Sequence, residues 1–305
     1  MMMILELEKK KMEETRKKQL MMSLMISSIF ISIFFPFGNA ANFVLIHGSC
    51  HGGWSWYKLV ALIRSSSSAT GGDHHHKVTA LDLAASGIDP KQVDDIPSIS
   101  DYFKPLRDFM VALPLHERVI MVGHSFGGLA ISQAMETFPH KISVAVFVAA
   151  LMPGPTLNIS TLNQEVQSFR RQTSLLDSHY TYGNGKNNPP KAFIFGPQYL
   201  AADVYQLSPT EDLGLATILM RPLRLYTEED MSKELRLSSK KYGSVRRVFI
   251  LSDKDRVGKK DFQRWMIKKN PPDEVKEVAC SDHMVMMSKP AELWALLQDI
   301  AEKYS

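Results

Sequence analysis

The chain has 305 residues, 45% of them hydrophobic, and a formal net charge of +4 at pH 7. That apolar content suffices for one large domain with a well-buried core, and no basic stripe of the kind that binds nucleic acid is present. Two cysteines occur, Cys50 and Cys280, which argues against a disulfide framework or a thiolate metal site and predicts that both pack as small apolar residues.

The first 20 residues carry six Lys/Arg against four Glu. The stretch from Leu20 to Phe37 is then free of charge and ends in Gly38-Asn39-Ala40-Ala41. This is the layout of a signal peptide, and at about 18 residues it also matches a signal anchor. An extension without a targeting role fits the same composition, so residues 1–40 are set apart from the domain at 42–305. Any membrane contact is expected through this segment alone. It points to the secretory pathway or a membrane anchor, and Asn158-Ile159-Ser160 is a sequon compatible with secretion.

From residue 42 onward, short β-branched runs alternate with longer helical stretches, the pattern of a mostly parallel sheet covered by helices, and the fold class is therefore α/β. Strands are predicted at Phe43 to His47, Val78 to Asp82, Val119 to Gly123, Ala145 to Ala149, Val245 to Ser252 and Val275 to Ala279. Helices are predicted at Trp54 to Arg64, Ser100 to Ala112, Phe126 to Thr137, Phe262 to Lys269 and Pro290 to Tyr304. The segment from about Pro153 to Ser239 breaks the alternation and reads as a cap inserted over the C-terminal edge of the sheet. Residues Ser65 to His76 are of low complexity and read as a solvated loop. Their three consecutive histidines lack a second cluster of ligands, so no metal site is expected there.

Gly123-His124-Ser125-Phe126-Gly127 sits between a predicted strand and a predicted helix. That is the setting of a nucleophile elbow, a sharp turn that presents a serine Oγ to substrate only when its flanks are small. Ser125 needs a base and a carboxylate that orients it. Asp255 follows the predicted strand ending at Ser252, and His283 follows the strand-like Val275 to Ala279, which gives the order Ser, Asp, His. Asp253 competes with Asp255 as the acid. Asp282 is expected to cap or pair locally, and His124 to be structural. A developing oxyanion needs fixed donors. The N–H of Phe126, just after the nucleophile, is one candidate, and the N–H of Ser49 in the loop His47-Gly48-Ser49-Cys50-His51-Gly52-Gly53 is the other.

The run Phe43-Val44-Leu45-Ile46-His47-Gly48-Ser49-Cys50-His51-Gly52-Gly53-Trp54-Ser55-Trp56-Tyr57-Lys58-Leu59 resembles the opening of the plant methylesterase family, which includes salicylic acid-binding esterases and hydroxynitrile lyases. Lys77 to Gly87 and Phe262-Gln263-Arg264-Trp265 resemble the same family, and the similarity runs from about residue 42 to 304. The resemblance implies an α/β-hydrolase fold and cofactor-free cleavage of methyl esters of small hormone acids such as methyl jasmonate, methyl salicylate or methyl indole-3-acetate. It also implies Ser125, Asp255 and His283 as the triad, because the family's acid precedes the phenylalanine of Phe-Gln-Arg-Trp by seven residues, as Asp255 precedes Phe262. The family's usual cytosolic location competes with the targeting reading of residues 1–40, and a homodimer is compatible with it.

Related lyases carry a threonine and a lysine where this chain has Gly48 and Met284, so a lyase-like reaction is the lesser alternative. A hormone-binding protein with slow hydrolysis, or an esterase of larger lipid or xenobiotic esters, are others. Where salicylate-handling relatives place aromatic residues, Leu151 and Leu175 predict an aliphatic pocket wall.

Overall fold

Val119–His124 is buried at every position, which an apolar run achieves only as an interior strand with both faces covered. Among the described residues six strands form one parallel sheet in the order β2-β1-β3-β4-β8-β9. They are β1 (Asn42–Ile46), β2 (Lys77–Leu81), β3 (Val119–His124), β4 (Ile142–Val148), β8 (Arg246–Ser252) and β9 (Glu274–Val278). The six predicted strands are all present, shifted by one to three residues at their ends. The computed structural model describes residue 16 and residues 40–69, 75–170, 174–183, 185 and 187–305. The chain divides into Met1–Asn39, of which Arg16 alone is described, and Ala40–Ser305. The uncharged stretch Leu20–Phe37 and His74 of the histidine triplet therefore lie outside the described residues, and among these no helix is long and apolar enough to cross a membrane.

Side chains along a strand alternate between its faces. Accordingly Ala145 and Phe147 of β4 join one hydrophobic cluster, while Val144, Val146 and Val148 join the other. The first cluster takes its helical side from α2 (Lys104–Ala112), α3 (Gly127–Thr137) and α7 (Lys260–Lys269), through Met110, Ile131 and Met266 among others. The second takes it from α1 (Tyr57–Ala69) and α8 (Pro290–Tyr304), through Leu59, Ile63, Leu293 and Leu297. The edge strand β9 alternates half-buried and exposed positions over its first four residues, as a strand with one covered face should.

Between β4 and β8 the chain leaves the sheet and forms α4 (Ile159–Arg170), α5 (Thr210–Leu219), α6 (Glu228–Glu234) and a small antiparallel sheet. That sheet has the order β5-β6-β7, with β5 at His179–Thr181, β6 at Ala192–Ile194 and β7 at Leu223–Arg224. Its strands have two or three residues, too short for an alternation to show in sequence. The expectation for the cysteines needs one correction. Cys50 is buried, whereas Cys280 is exposed, because it lies in the turn that leaves the edge strand β9 rather than inside it.

Candidate active site

β3 ends in the turn that carries Ser125, whose φ is +52°. That left-handed conformation is costly for a residue with a side chain. Here it is held in place: the Ser125 N–H donates to the Val148 carbonyl at 3.3 Å, and the Ser125 carbonyl accepts from Gly128 and Leu151 at 3.1 and 3.0 Å. The turn is tight enough that a Cβ on Gly127 would lie 2.5 Å from the His47 carbonyl oxygen, and one on Gly123 would lie 2.9 Å from Ile131. Glycine is therefore demanded at 127, where the atoms in the way are backbone, more strictly than at 123, where the nearest is the end of a side chain.

His283 Nδ1 lies 2.8 Å from Asp255 Oδ2, and His283 Nε2 lies 3.0 Å from Ser125 Oγ. A carboxylate only accepts, so Nδ1 carries the ring proton and Nε2 is free to take one from the serine. Asp255 is fixed from its other oxygen: Oδ1 accepts the N–H groups of Val257 and Gly258, each at 2.8 Å. Gln263 on α7 adds its Nε2 to the Gly258 carbonyl at 2.6 Å and to Asp255 Oδ2 at 3.4 Å. The acid and base loops are also joined to each other, since Ser252 Oγ donates to the Asp282 carbonyl at 2.7 Å.

Asp253 meets different surroundings. Lys260 and Lys254 pair with it at 2.8 and 3.2 Å, and hydrogen bonding to those ammonium groups holds its carboxyl down to about 2. Asp282 does pair locally, accepting the Met284 N–H at 3.0 Å, but its other oxygen reaches the inserted segment at Leu207 N–H and Ser208 Oγ, at 3.0 and 2.8 Å. His124 packs 4.7 Å from the His283 ring, centroid to centroid, with its Nε2 2.8 Å from the His283 carbonyl. Burial, and then the charge of His283, push its pKa well below the usual histidine value. A neutral His124 leaves an imidazolium at His283 without a second positive charge against it.

Two cavities flank this line. One of about 80 Å³ is lined by Ser125, His283, Ser49, Phe126 and Leu151 together with Phe262 and Met266. The other, about 440 Å³, shares Ser49, Phe126 and Leu151 and extends into the inserted segment. Neither the Ser49 nor the Phe126 backbone N–H has a hydrogen-bond acceptor among the described residues; that of Phe126 lies at the N-terminus of α3, where amide groups are left unpaired by the helix.

The larger cavity corrects the expectation of an aliphatic wall. Leu151 lines it, but so do Phe126, Tyr180, Phe193, Phe195 and Tyr226. Phe126 comes from the turn after β3, and the other four come from the segment between β4 and β8, which lines the cavity together with Leu151, a neighbourhood that sequence order does not display. Gly48, Leu175 and Met284 are not among the residues lining either cavity. Gly48 lies against Ser125, where an added Cβ would be 2.8 Å from that of the serine. Leu175 is half-buried between the two clusters, and Met284 is fully buried with Val285, Met286 and Met287. Sequence reasoning also passed over Gln263 as the brace of Asp255; its place in the Phe-Gln-Arg-Trp run was the available signal.

The sequence matches the alpha/beta hydrolase family over residues 43–296. It is 56% identical over 264 residues to methyl jasmonate esterase 1 of Vitis vinifera, covering 87% of this chain and 98% of that protein. It is 41% identical over 264 residues to salicylic acid-binding protein 2 of Nicotiana tabacum, covering 87% of this chain and 98% of that protein. Among solved structures, tomato methylketone synthase I complexed with 2-tridecanone superposes with a TM-score of 0.81 at 56% identity, covering 87% of this chain and 99% of that one.

Proposed function

The chain belongs to the alpha/beta hydrolase family, and on that premise we propose that it is a carboxylesterase that hydrolyses methyl esters of small hydrophobic acids through an acyl-enzyme on Ser125. Methyl jasmonate is the first candidate substrate, supported by the resemblance to the Vitis vinifera esterase; methyl salicylate and methyl indole-3-acetate follow. The observation that carries the reading is the unbroken line Ser125–His283–Asp255 beside a largely apolar cavity.

Ser125 Oγ attacks the ester carbonyl carbon while His283 Nε2 takes its proton and Asp255 holds the resulting imidazolium. The carbonyl oxygen becomes an oxyanion that the N–H groups of Ser49 and Phe126 stabilise. Collapse expels methoxide, which leaves as methanol with the proton from His283. Water then attacks the acyl-enzyme by the same sequence and releases the carboxylic acid. Ester and water are the only reactants, so the cycle requires no cofactor and no metal.

Identity alone does not select this reaction, because a methylketone synthase and a methyl jasmonate esterase are both 56% identical to the chain. The site favours hydrolysis: an activated serine with a carboxylate-oriented histidine is machinery for acyl transfer. A lyase that expels cyanide needs a cation for it, and the residue after His283 is the buried Met284. A panel of the three methyl esters tests the proposal. Hydrolysis of at least one of them by the unaltered protein is expected, and Ser125→Ala should lower kcat by several orders of magnitude, on the order of 10⁶ in the best-measured case. Hydrolysis that survives Ser125→Ala at the original rate would remove Ser125 from the mechanism.

A further inference from the structure

Two histidines that the triad does not use stand on either side of Ser49. His47 Nδ1 lies 2.8 Å from the Gly48 carbonyl oxygen, and His51 Nδ1 lies 2.7 Å from the Ser49 carbonyl oxygen. The Gly48 carbonyl shares its peptide plane with the Ser49 N–H, and the Ser49 carbonyl belongs to the next plane. Peptide planes are rigid and turn only at the intervening Cα. One histidine on each plane therefore sets both backbone torsions of Ser49 and the direction of its N–H.

Each histidine is in turn locked. A carbonyl only accepts, so each Nδ1 carries a proton and each Nε2 must accept. His47 Nε2 accepts the Leu83 N–H at 3.0 Å. His51 Nε2 lies 2.7 Å from the Tyr205 hydroxyl, which therefore donates to it. Tyr205 comes from the segment between β4 and β8, and its ring stacks on His51, with Trp54 on His51 as well, at centroid distances of 5.9 and 5.3 Å. His47, His51 and Tyr205 are 0, 3 and 3% exposed, so water does not replace these bonds. Burial lowers the pKa of His51 to about 4 and that of His47 as well, and it raises Tyr205, which keeps the relay in one protonation state. Two further bonds tie the same loop to that segment: the Arg221 N–H donates to the Cys50 carbonyl at 3.0 Å, and Cys50 Sγ donates to the Phe193 carbonyl at 3.4 Å.

We propose that Tyr205, acting through His51, is a positioning residue for the reaction: with His47 it aims the Ser49 N–H at the oxyanion and makes the inserted segment part of the catalytic apparatus as well as the wall of the acyl cavity. The proposal rests on Ser49 being an oxyanion donor, an interaction made in the transition state and weakly, if at all, in the ground state. Loss of the relay should therefore appear in kcat and leave KM nearly unchanged.

Tyr205→Phe removes one hydroxyl and keeps the stacked ring. We expect kcat for the best methyl ester to fall about 10- to 100-fold, the loss a displaced catalytic group produces, with KM little changed. Affinity for a trifluoromethyl ketone, whose adduct with Ser125 carries the oxyanion, should fall by the same factor. His51→Asn keeps a donor at the place of Nδ1 and should retain more kcat than His51→Leu, which keeps none. Unchanged kcat in folded Tyr205→Phe overturns the proposal, as does a lower thermal midpoint accompanied by unchanged trifluoromethyl ketone affinity. Hydrolysis by the unaltered protein that Ser125→Ala abolishes upholds the esterase reading in either case, so the two ideas fail separately.

Discussion

Asp253 and Asp255 are the same side chain two positions apart in the loop after β8, and their partners separate them. Two ammonium groups neutralise Asp253 outside the cavities, while Asp255 accepts two backbone N–H groups and the His283 ring. Replacing Asp255 with Asn leaves the shape and removes the charge that selects the His283 tautomer, so kcat should fall by about four orders of magnitude. Asp253→Asn should leave kcat close to that of the unaltered protein; the ester assay on both variants checks the pair, and the opposite ranking would exchange their roles. At this scale Ser125 and His283 are legible from local motif and order. Position favours Asp255 over Asp253 and the family resemblance strengthens that preference, but the sequence does not show which carboxylate is neutralised by lysines. The work of His47 and His51 is hidden for the same reason: a histidine that braces a carbonyl and one that moves a proton look alike until their partners are seen.

The elbow illustrates what an element contributes. An apolar strand, two glycines and a small-residue helix announce the turn in sequence, and the structure adds the reason for Gly127, which is contact with the backbone at the end of the neighbouring β1 strand and its loop. Gly127→Ala would drive a methyl group to 2.5 Å from the His47 carbonyl oxygen and 2.8 Å from that of Ile46. Backbone does not yield as a side-chain end does, so a cost of about 1–3 kcal/mol is expected. It should be visible as a lower thermal midpoint together with reduced kcat, since the shift reaches the two N–H groups proposed to hold the oxyanion. A variant with normal stability and turnover would show that the turn is looser than its contacts imply. The inserted segment breaks the alternation in sequence without showing its own strands, because strands of two or three residues carry no period. The leucine wall, expected from two positions matched to relatives, gives way to a cavity lined largely by aromatic side chains because most of them come from this segment.

For the whole molecule, burial of the histidines predicts how stability responds to acid. His47, His51 and His124 are all held neutral by burial, with His51 brought from 6.5 to about 4. These are depressed values, so the unfolded chain binds protons that the folded chain refuses as the pH drops below about 6.5. Their contribution to stability is complete above that value and is lost as the pH falls from 6.5 toward 4. Thermal midpoints measured across this window should decline steadily with acidification, and a flat profile would contradict the burial of these rings. Periodicity and short motifs, which act within one turn or strand, suffice for the parallel sheet, the elbow and the order of its chemical groups. The folded arrangement alone shows why Asp255 and not Asp253 meets His283, which side chains wall the cavity and which histidines hold Ser49. Each of those depends on groups that are distant along the chain and adjacent in space, and on the water excluded between them.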